Sequence, residues 1–164
     1  MKPNLHNAII LPFILIYFHS GFAQTNPYSL IINIPLPDGY SRTSVARNSF
    51  TEWLRNLPLK KSKTVYLYNG VAKRNQAAQF AVIDISVGNK DLQQCADAVM
   101  RLRAEYLYLQ KRFIEISFSD NNHHEYKLNG LIDRKHFNSY LENVFCKMRH
   151  IVFGKAAKIY PQNK

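Results

Sequence analysis

Cysteine is nearly absent from this chain, with two in 164 residues, and glycine and tryptophan are sparse at six and one. Two thiols are too few for a disulfide scaffold, so a hydrophobic core has to carry the fold. Acid is scarce as well. Eleven Asp and Glu stand against 22 Lys and Arg, giving a formal net charge of +11. Such a surplus favours anionic partners through long-range attraction. Also missing are internal repeats, low-complexity segments and any complete catalytic motif.

What is present begins with a leader. "MKPNLHNAIILPFILIYFHSGFAQ" supplies Lys2 as a basic start, Ala8 to Phe18 as an apolar run, and Gly21-Phe22-Ala23 as a small-x-small cleavage signal. The apolar run falls short of the ~20 residues that cross a bilayer, and His19-Ser20-Gly21 interrupts it, which argues against an uncleaved anchor. The expectation is export, cleavage after Ala23 and a periplasmic or extracellular mature chain with no transmembrane span. Lys2 leaves with the leader, so the surplus of charge falls by only one. Export argues against nucleic acid as a partner and points to anionic lipid or a cell-wall polymer. The plainer reading of Lys60, Lys61, Lys63, Lys73, Arg74, Lys111 and Arg112 is that they solvate loops, and the residues alone favour it.

Residues 24–48 carry Pro27, Pro35, Pro37 and an Asp38-Gly39 turn, so they read as an extended arm with a short strand near Leu30 to Ile34. In "SFTEWLRNL", Ser49 and Glu52 have capping-box spacing and open a helix that Pro58 stops. "TVYLY", "FAVIDISV" and "RFIEISFS" are β-branched and aromatic runs that predict strands. "EYKL" is expected to return from the last of them across a polar "DNNHH" tip. Between them, Asp91 and Gln94 suggest a cap for a long helix. Its apolar stripe would be Leu92, Cys95, Ala96, Val99, Leu102 and Tyr106, with Asp97, Arg101 and Glu105 pairing weakly on the opposite, solvent face. A last helix is expected from about Asn138 to Val152, stopped by Gly154. The order predicts one α+β domain over residues 49–153, with about three helices on a small sheet of three to five strands, followed by a basic tail over 154–164.

"SFTEWLRNLPLK", "VYLYNG", "VIDISVGNKDLQQCADAVMRLRAEYLY" and "IEISFS", taken in order, resemble the exported family numbered 4846 among the domains of unknown function. The resemblance covers about Arg47 to Phe118. It implies a chain that continues into a strand-rich region with Gly-Asp and Gly-His-Ala segments, a layout similar to NlpC-type papain-like cysteine peptidases. In that layout a Cys at a helix start meets a His on a later strand, and this chain would be an incomplete, C-terminally truncated example.

The resemblance makes Cys95 the candidate nucleophile of an envelope peptidase or amidase. An early helical turn lowers a thiol's pKa, but Cys95 also lies on the apolar stripe, where a small buried filler is the preferred reading. A nucleophilic Cys needs an oriented base. His123, His124, His136 and His150 are the histidines beyond the leader, and none lies in a Gly-His-Ala segment. Cys95 and Cys146 are expected to stay unpaired, with Cys146 sharing a face with Leu141 and Phe145. Asp84, in the middle of "FAVIDISV", reads as a partly buried carboxylate paired with Arg101 or Arg103. His123 and Glu125 give two ligands where zinc needs three or four, so no metal and no cofactor are assigned. The favoured function is therefore a non-catalytic envelope protein that binds an anionic or cell-wall partner. The alternative is a cysteine hydrolase whose catalytic His is missing from this chain.

Overall fold

The computed structural model describes residues 25–130 and 132–159, with side chains as far as Met148; the leader, and with it the expected cleavage site, lies outside the described residues. The fold is a small α+β arrangement of three helices and a two-stranded antiparallel sheet. The helices are α1 (Phe50–Arg55), α2 (Cys95–Leu109) and α3 (Arg134–Ile159), and the strands are β1 (Ser117–Ser119) and β2 (Glu125–Lys127).

α1 starts where its capping residues place it. Ser49 Oγ accepts the Glu52 N–H at 3.1 Å, while the Glu52 carboxylate reaches back to the Asn48 N–H at 2.6 Å. Phe50 and Trp53 then stack and meet Tyr106 of α2 at 5.3 and 5.9 Å between ring centroids. The Tyr106 hydroxyl donates to the Asn48 carbonyl at 2.7 Å, so its polar end is satisfied where its ring is buried.

α2 begins at Cys95, and the Asp97 carboxylate accepts the Gln94 N–H at 2.9 Å in place of the expected Asp91 cap. Its buried residues are Ala104, Glu105, Tyr106 and Leu107. The expected stripe is therefore corrected in its first half: Cys95 and Ala96 are exposed, and Val99 is 66% exposed. The later turns of the helix, by contrast, meet α3 through Glu105 with Arg134 and Tyr108 with Phe137. The face expected to be solvated holds the most deeply buried charge in the domain.

α3 starts four residues before Asn138 because Asp133 caps it, with its carboxylate accepting the His136 N–H at 2.6 Å. The helix runs through Gly154 to Ile159, since Lys155, Ala156, Ala157 and Lys158 are good helix formers. Phe137, Leu141, Val144 and Phe145 point inward and close the core with Ala104, Leu107, Ile116 and Leu128. Full burial of Phe137 alone contributes on the order of 2–3 kcal/mol.

The sheet is smaller than the three to five strands expected. "RFIEISFS" divides into a 3-10 turn, Phe113–Glu115, and β1, because the turn is closed by the Ile116 N–H on the Phe113 carbonyl and braced by the Arg112–Glu115 ion pair. β2 does return across the polar tip, in the register Phe118 opposite Tyr126. Leu30 to Ile34 is likewise no strand: Asn33 Oδ1 accepts from the Leu30 N–H and Ser29 Oγ, curling Ile31–Asn33 into a 3-10 turn.

The runs "TVYLY" and "FAVIDISV" form only isolated bridges, Tyr66 with Ala72 and Leu59 with Ile83. Side chains take the place of a neighbouring strand. Gln76 Oε1 accepts from the Val65 N–H at 3.0 Å and its Nε2 donates to the Val65 carbonyl at 2.9 Å, while Gln79 Nε2 donates to the Lys63 carbonyl at 2.8 Å. The arm is pinned in the same region. Buried Asn26 donates from its backbone to the Lys61 carbonyl and from Nδ2 to the Lys60 carbonyl, and Leu59 N–H donates to the Ser29 carbonyl.

Candidate functional site

Cys95, the candidate nucleophile, is the first residue of α2 and is exposed, which corrects the buried-filler reading. Cys146 is also exposed, on the outer side of α3, although its neighbours Leu141 and Phe145 are buried; both thiols are free. Among the described residues no hydrogen bond joins Cys95 to an imidazole. His123 and His124 sit at the β1–β2 tip, where His123 takes φ 62° and the His124 ring meets Tyr126 edge-on at 4.6 Å. His136 lies on the first turn of α3, and the side chain of His150 lies outside those described.

The tip is organised by Asp120. Its carboxylate gathers the N–H groups of Asn122 and His124 and the Tyr126 hydroxyl at 2.7, 3.1 and 3.0 Å. Partial desolvation opposes these contacts, yet they hold its pKa below the usual carboxylate range. The Glu125 carboxyl is held below its usual range by hydrogen bonds from the Ser117 hydroxyl and Lys127. Among the described residues no three His, Cys, Asp or Glu converge on a point that could hold a metal.

Asp84 is exposed, and the expected pair with Arg101 or Arg103 does not form. Arg101 Nε donates to Glu105 at 3.0 Å, and the Arg103 guanidinium lies over Phe50 and Tyr106 at 5.6 and 5.7 Å. Among the described residues the buried carboxylate is Glu105, 7% exposed, which also accepts from Arg134 at 2.6 Å. Arg134 in turn lies 4.2 Å from the Tyr108 ring centroid and joins α2 to α3.

Two hollows flank α3. One, of about 110 Å³, lies between the 86–93 loop and α3, with Arg101, Asn138 and the Lys90–Glu142 ion pair among its lining residues. Gln93 Oε1 is buried and has no hydrogen-bond partner among the described residues. The other, about 330 Å³, is an open cleft between β2 and α3, where Tyr126 and Tyr140 face Lys147.

A larger feature lies in the first half of the chain. From Trp53 to Ile83 there is no acidic residue, while Arg55, Lys60, Lys61, Lys63, Lys73 and Arg74 supply six cations. Among the described residues the five ion pairs lie in the second half: Lys90–Glu142, Arg101–Glu105, Arg112–Glu115, Lys127–Glu125 and Arg134–Glu105. None neutralises the cations between Lys60 and Arg74, and Lys63 faces only the Phe80 ring, at 5.2 Å. The acid-free interval was visible in the sequence. It escapes a residue-by-residue reading because each lysine alone looks like ordinary surface.

In the middle of that interval stands a hairpin. Gly70 N–H donates to the Leu67 carbonyl and Leu67 N–H to the Val71 carbonyl, closing a tight loop that needs Gly70 at φ 80°. Every residue from Tyr66 to Asn75 is exposed, including Tyr66 at 56%, Leu67 at 45%, Tyr68 at 43% and Val71 at 57%. Lys73 and Arg74 follow directly, and the Lys73 N–H pairs with the Val65 carbonyl at the hairpin's base.

The family described as domain of unknown function 4846 matches residues 31–134. The chain belongs to that family, and the match extends beyond the Arg47 to Phe118 motifs at both ends. No curated protein matches the chain, and no solved structure does. Among the described residues no helix is long and apolar enough to cross a membrane.

Proposed function

We propose that this protein is a non-catalytic binding domain of the cell envelope, exported by its leader, which uses the basic first half of the chain to hold an anionic partner. The observation that carries this reading is the acid-free interval from Trp53 to Ile83, whose lysines and arginines have no carboxylate partner among the described residues. Charges left uncompensated on one part of a surface raise the local concentration of counter-charged ligands and speed their encounter. Lys60, Lys61, Lys73 and Arg74 are all exposed and able to take part.

The competing reading, a cysteine peptidase or amidase, has in its favour an accessible thiol on the first turn of α2. Acyl transfer also needs a base that donates a proton to the leaving amine. The described imidazoles sit at the β1–β2 tip and on the first turn of α3, and none is bonded to Cys95. Binding is therefore the function the geometry supports best.

Retention of the mature protein on immobilised heparin, a generic polyanion, tests this. Wild type should elute only at raised salt. The Lys60→Glu/Lys61→Glu/Lys73→Glu variant should elute substantially earlier, and Cys95→Ala should behave like wild type. Equal retention of the triple variant and wild type would overturn the proposal.

A further inference from the structure

We propose that the partner is an anionic phospholipid bilayer and that the hairpin from Tyr66 to Val71 is the element that dips into its interface. This rests on the reading of the basic half as an anion-binding surface and adds the identity of the partner.

A strand that covers a core shows one face to water and buries the other. This hairpin buries neither. Tyr66 bridges Ala72, while Leu67 and Val71 pair one position nearer the turn, so their side chains lie on opposite faces of the ribbon. Tyr66, Leu67, Tyr68 and Val71 are nevertheless all at least 43% exposed. The result is an apolar and aromatic tip without a covered side, which is costly in water unless something apolar receives it.

Cations stand at the base of the tip. Lys73 and Arg74 follow the second limb and Lys63 precedes the first. At ~3.3 Å per residue, the tip reaches up to about 13 Å beyond the pair at the hairpin's base, Val65 with Lys73. An element lying in the bilayer interface buries its apolar side roughly 5–10 Å deep, so tyrosines and Leu67 can enter the headgroup region while the cations stay level with the phosphates. Tyrosine prefers this zone because its ring is apolar and its hydroxyl wet. Juxtamembrane lysine and arginine draw the protein to anionic lipid. A soluble polyanion would satisfy the lysines but has no use for Leu67 and Val71, and a wall polymer is in the same position.

The experiment is co-sedimentation of the mature protein with vesicles of phosphatidylcholine, and of phosphatidylcholine containing phosphatidylglycerol, run beside the heparin column. The test variant is Tyr66→Ser/Leu67→Ser/Tyr68→Ser/Val71→Ser. All four positions are exposed, so a thermal melt should match wild type; Tyr68→Ser alone serves as a milder second variant. Wild type should partition to the phosphatidylglycerol vesicles and much less to phosphatidylcholine. The four-serine variant should bind those vesicles about tenfold more weakly or worse, with heparin retention unchanged. Equal vesicle binding by wild type and variant would overturn the inference. So would heparin retention with no vesicle binding, and either result would leave the anion-binding reading standing. Absence of both would remove both. Lipid-free self-association that disappears in the serine variant would show that a second copy, rather than a bilayer, covers the tip.

Discussion

Glu105 is the residue whose replacement probes the domain most sharply. Its side chain is 10% exposed and bridges two arginines, Arg101 one turn earlier on α2 and Arg134 at the start of α3. In Glu105→Ala the Arg101 side chain, only 13% exposed, loses its carboxylate and keeps a desolvated charge. Breaking a buried pair in this way costs about 3–5 kcal/mol. The Arg134 limb is nearly half exposed and contributes up to ~1 kcal/mol. Because α2 and α3 can part slightly to hydrate Arg101, the expected total is about 2–4 kcal/mol, or a fall in Tm on the order of 10 °C for a domain of this size. Glu105→Gln keeps the volume and one acceptor oxygen and should cost about half as much. The reference is Glu142→Ala, which breaks the solvent-facing pair with Lys90 and should cost under ~1 kcal/mol. Urea melts followed by circular dichroism give the values, and a double-mutant cycle of Glu105→Ala with Arg101→Ala isolates their coupling. If Glu105→Ala proved no worse than Glu142→Ala, the account of α2 and α3 as joined through this carboxylate would be wrong.

Two further outcomes are expected. Desolvation, with a smaller contribution from Glu125, pushes the Tyr140 hydroxyl up to about 12; its proton is given to the Tyr126 carbonyl at 2.7 Å. The folded state thus holds this proton more tightly than an unfolded tyrosine near 10, so its contribution is complete below about pH 10 and is lost as pH rises towards 12. Stability should fall across that window and Tyr140→Phe should flatten the fall; an equal slope in both proteins would refute the assignment. Cys95 and Cys146 are both exposed and free, so N-ethylmaleimide should modify both in the native protein within minutes and Cys95→Ser should leave Tm unchanged. Protection of Cys95 from the reagent would contradict the placement of α2.

Local chemistry was the legible part of the sequence. Ser49 with Glu52 and the return of "EYKL" onto "RFIEISFS" depend on groups a few residues apart, and each stands in the structure as the spacing implied. The buried face of α2 was not legible, because periodicity marks where apolar residues recur and not which neighbour arrives to cover them. Val99 fits the stripe and is 66% exposed, whereas Glu105 breaks the rule and is buried with Arg134, which comes from 29 residues away. Asp84 misled for the opposite reason: a carboxylate in a β-branched run suggests burial only if the run joins a sheet, and the bridges around Leu59 and Ile83 leave it in solvent. The candidate surface was a matter of composition along an interval, which no single motif records.

The amide of Gln76 takes both backbone groups of Val65 on the side that faces the second limb, where the Lys73 N–H also reaches the Val65 carbonyl. It works as a clasp at the ribbon's root, fastening the two limbs to each other where the backbone ladder ends. The exposed end therefore stands out from the body as one braced piece rather than as two loose arms.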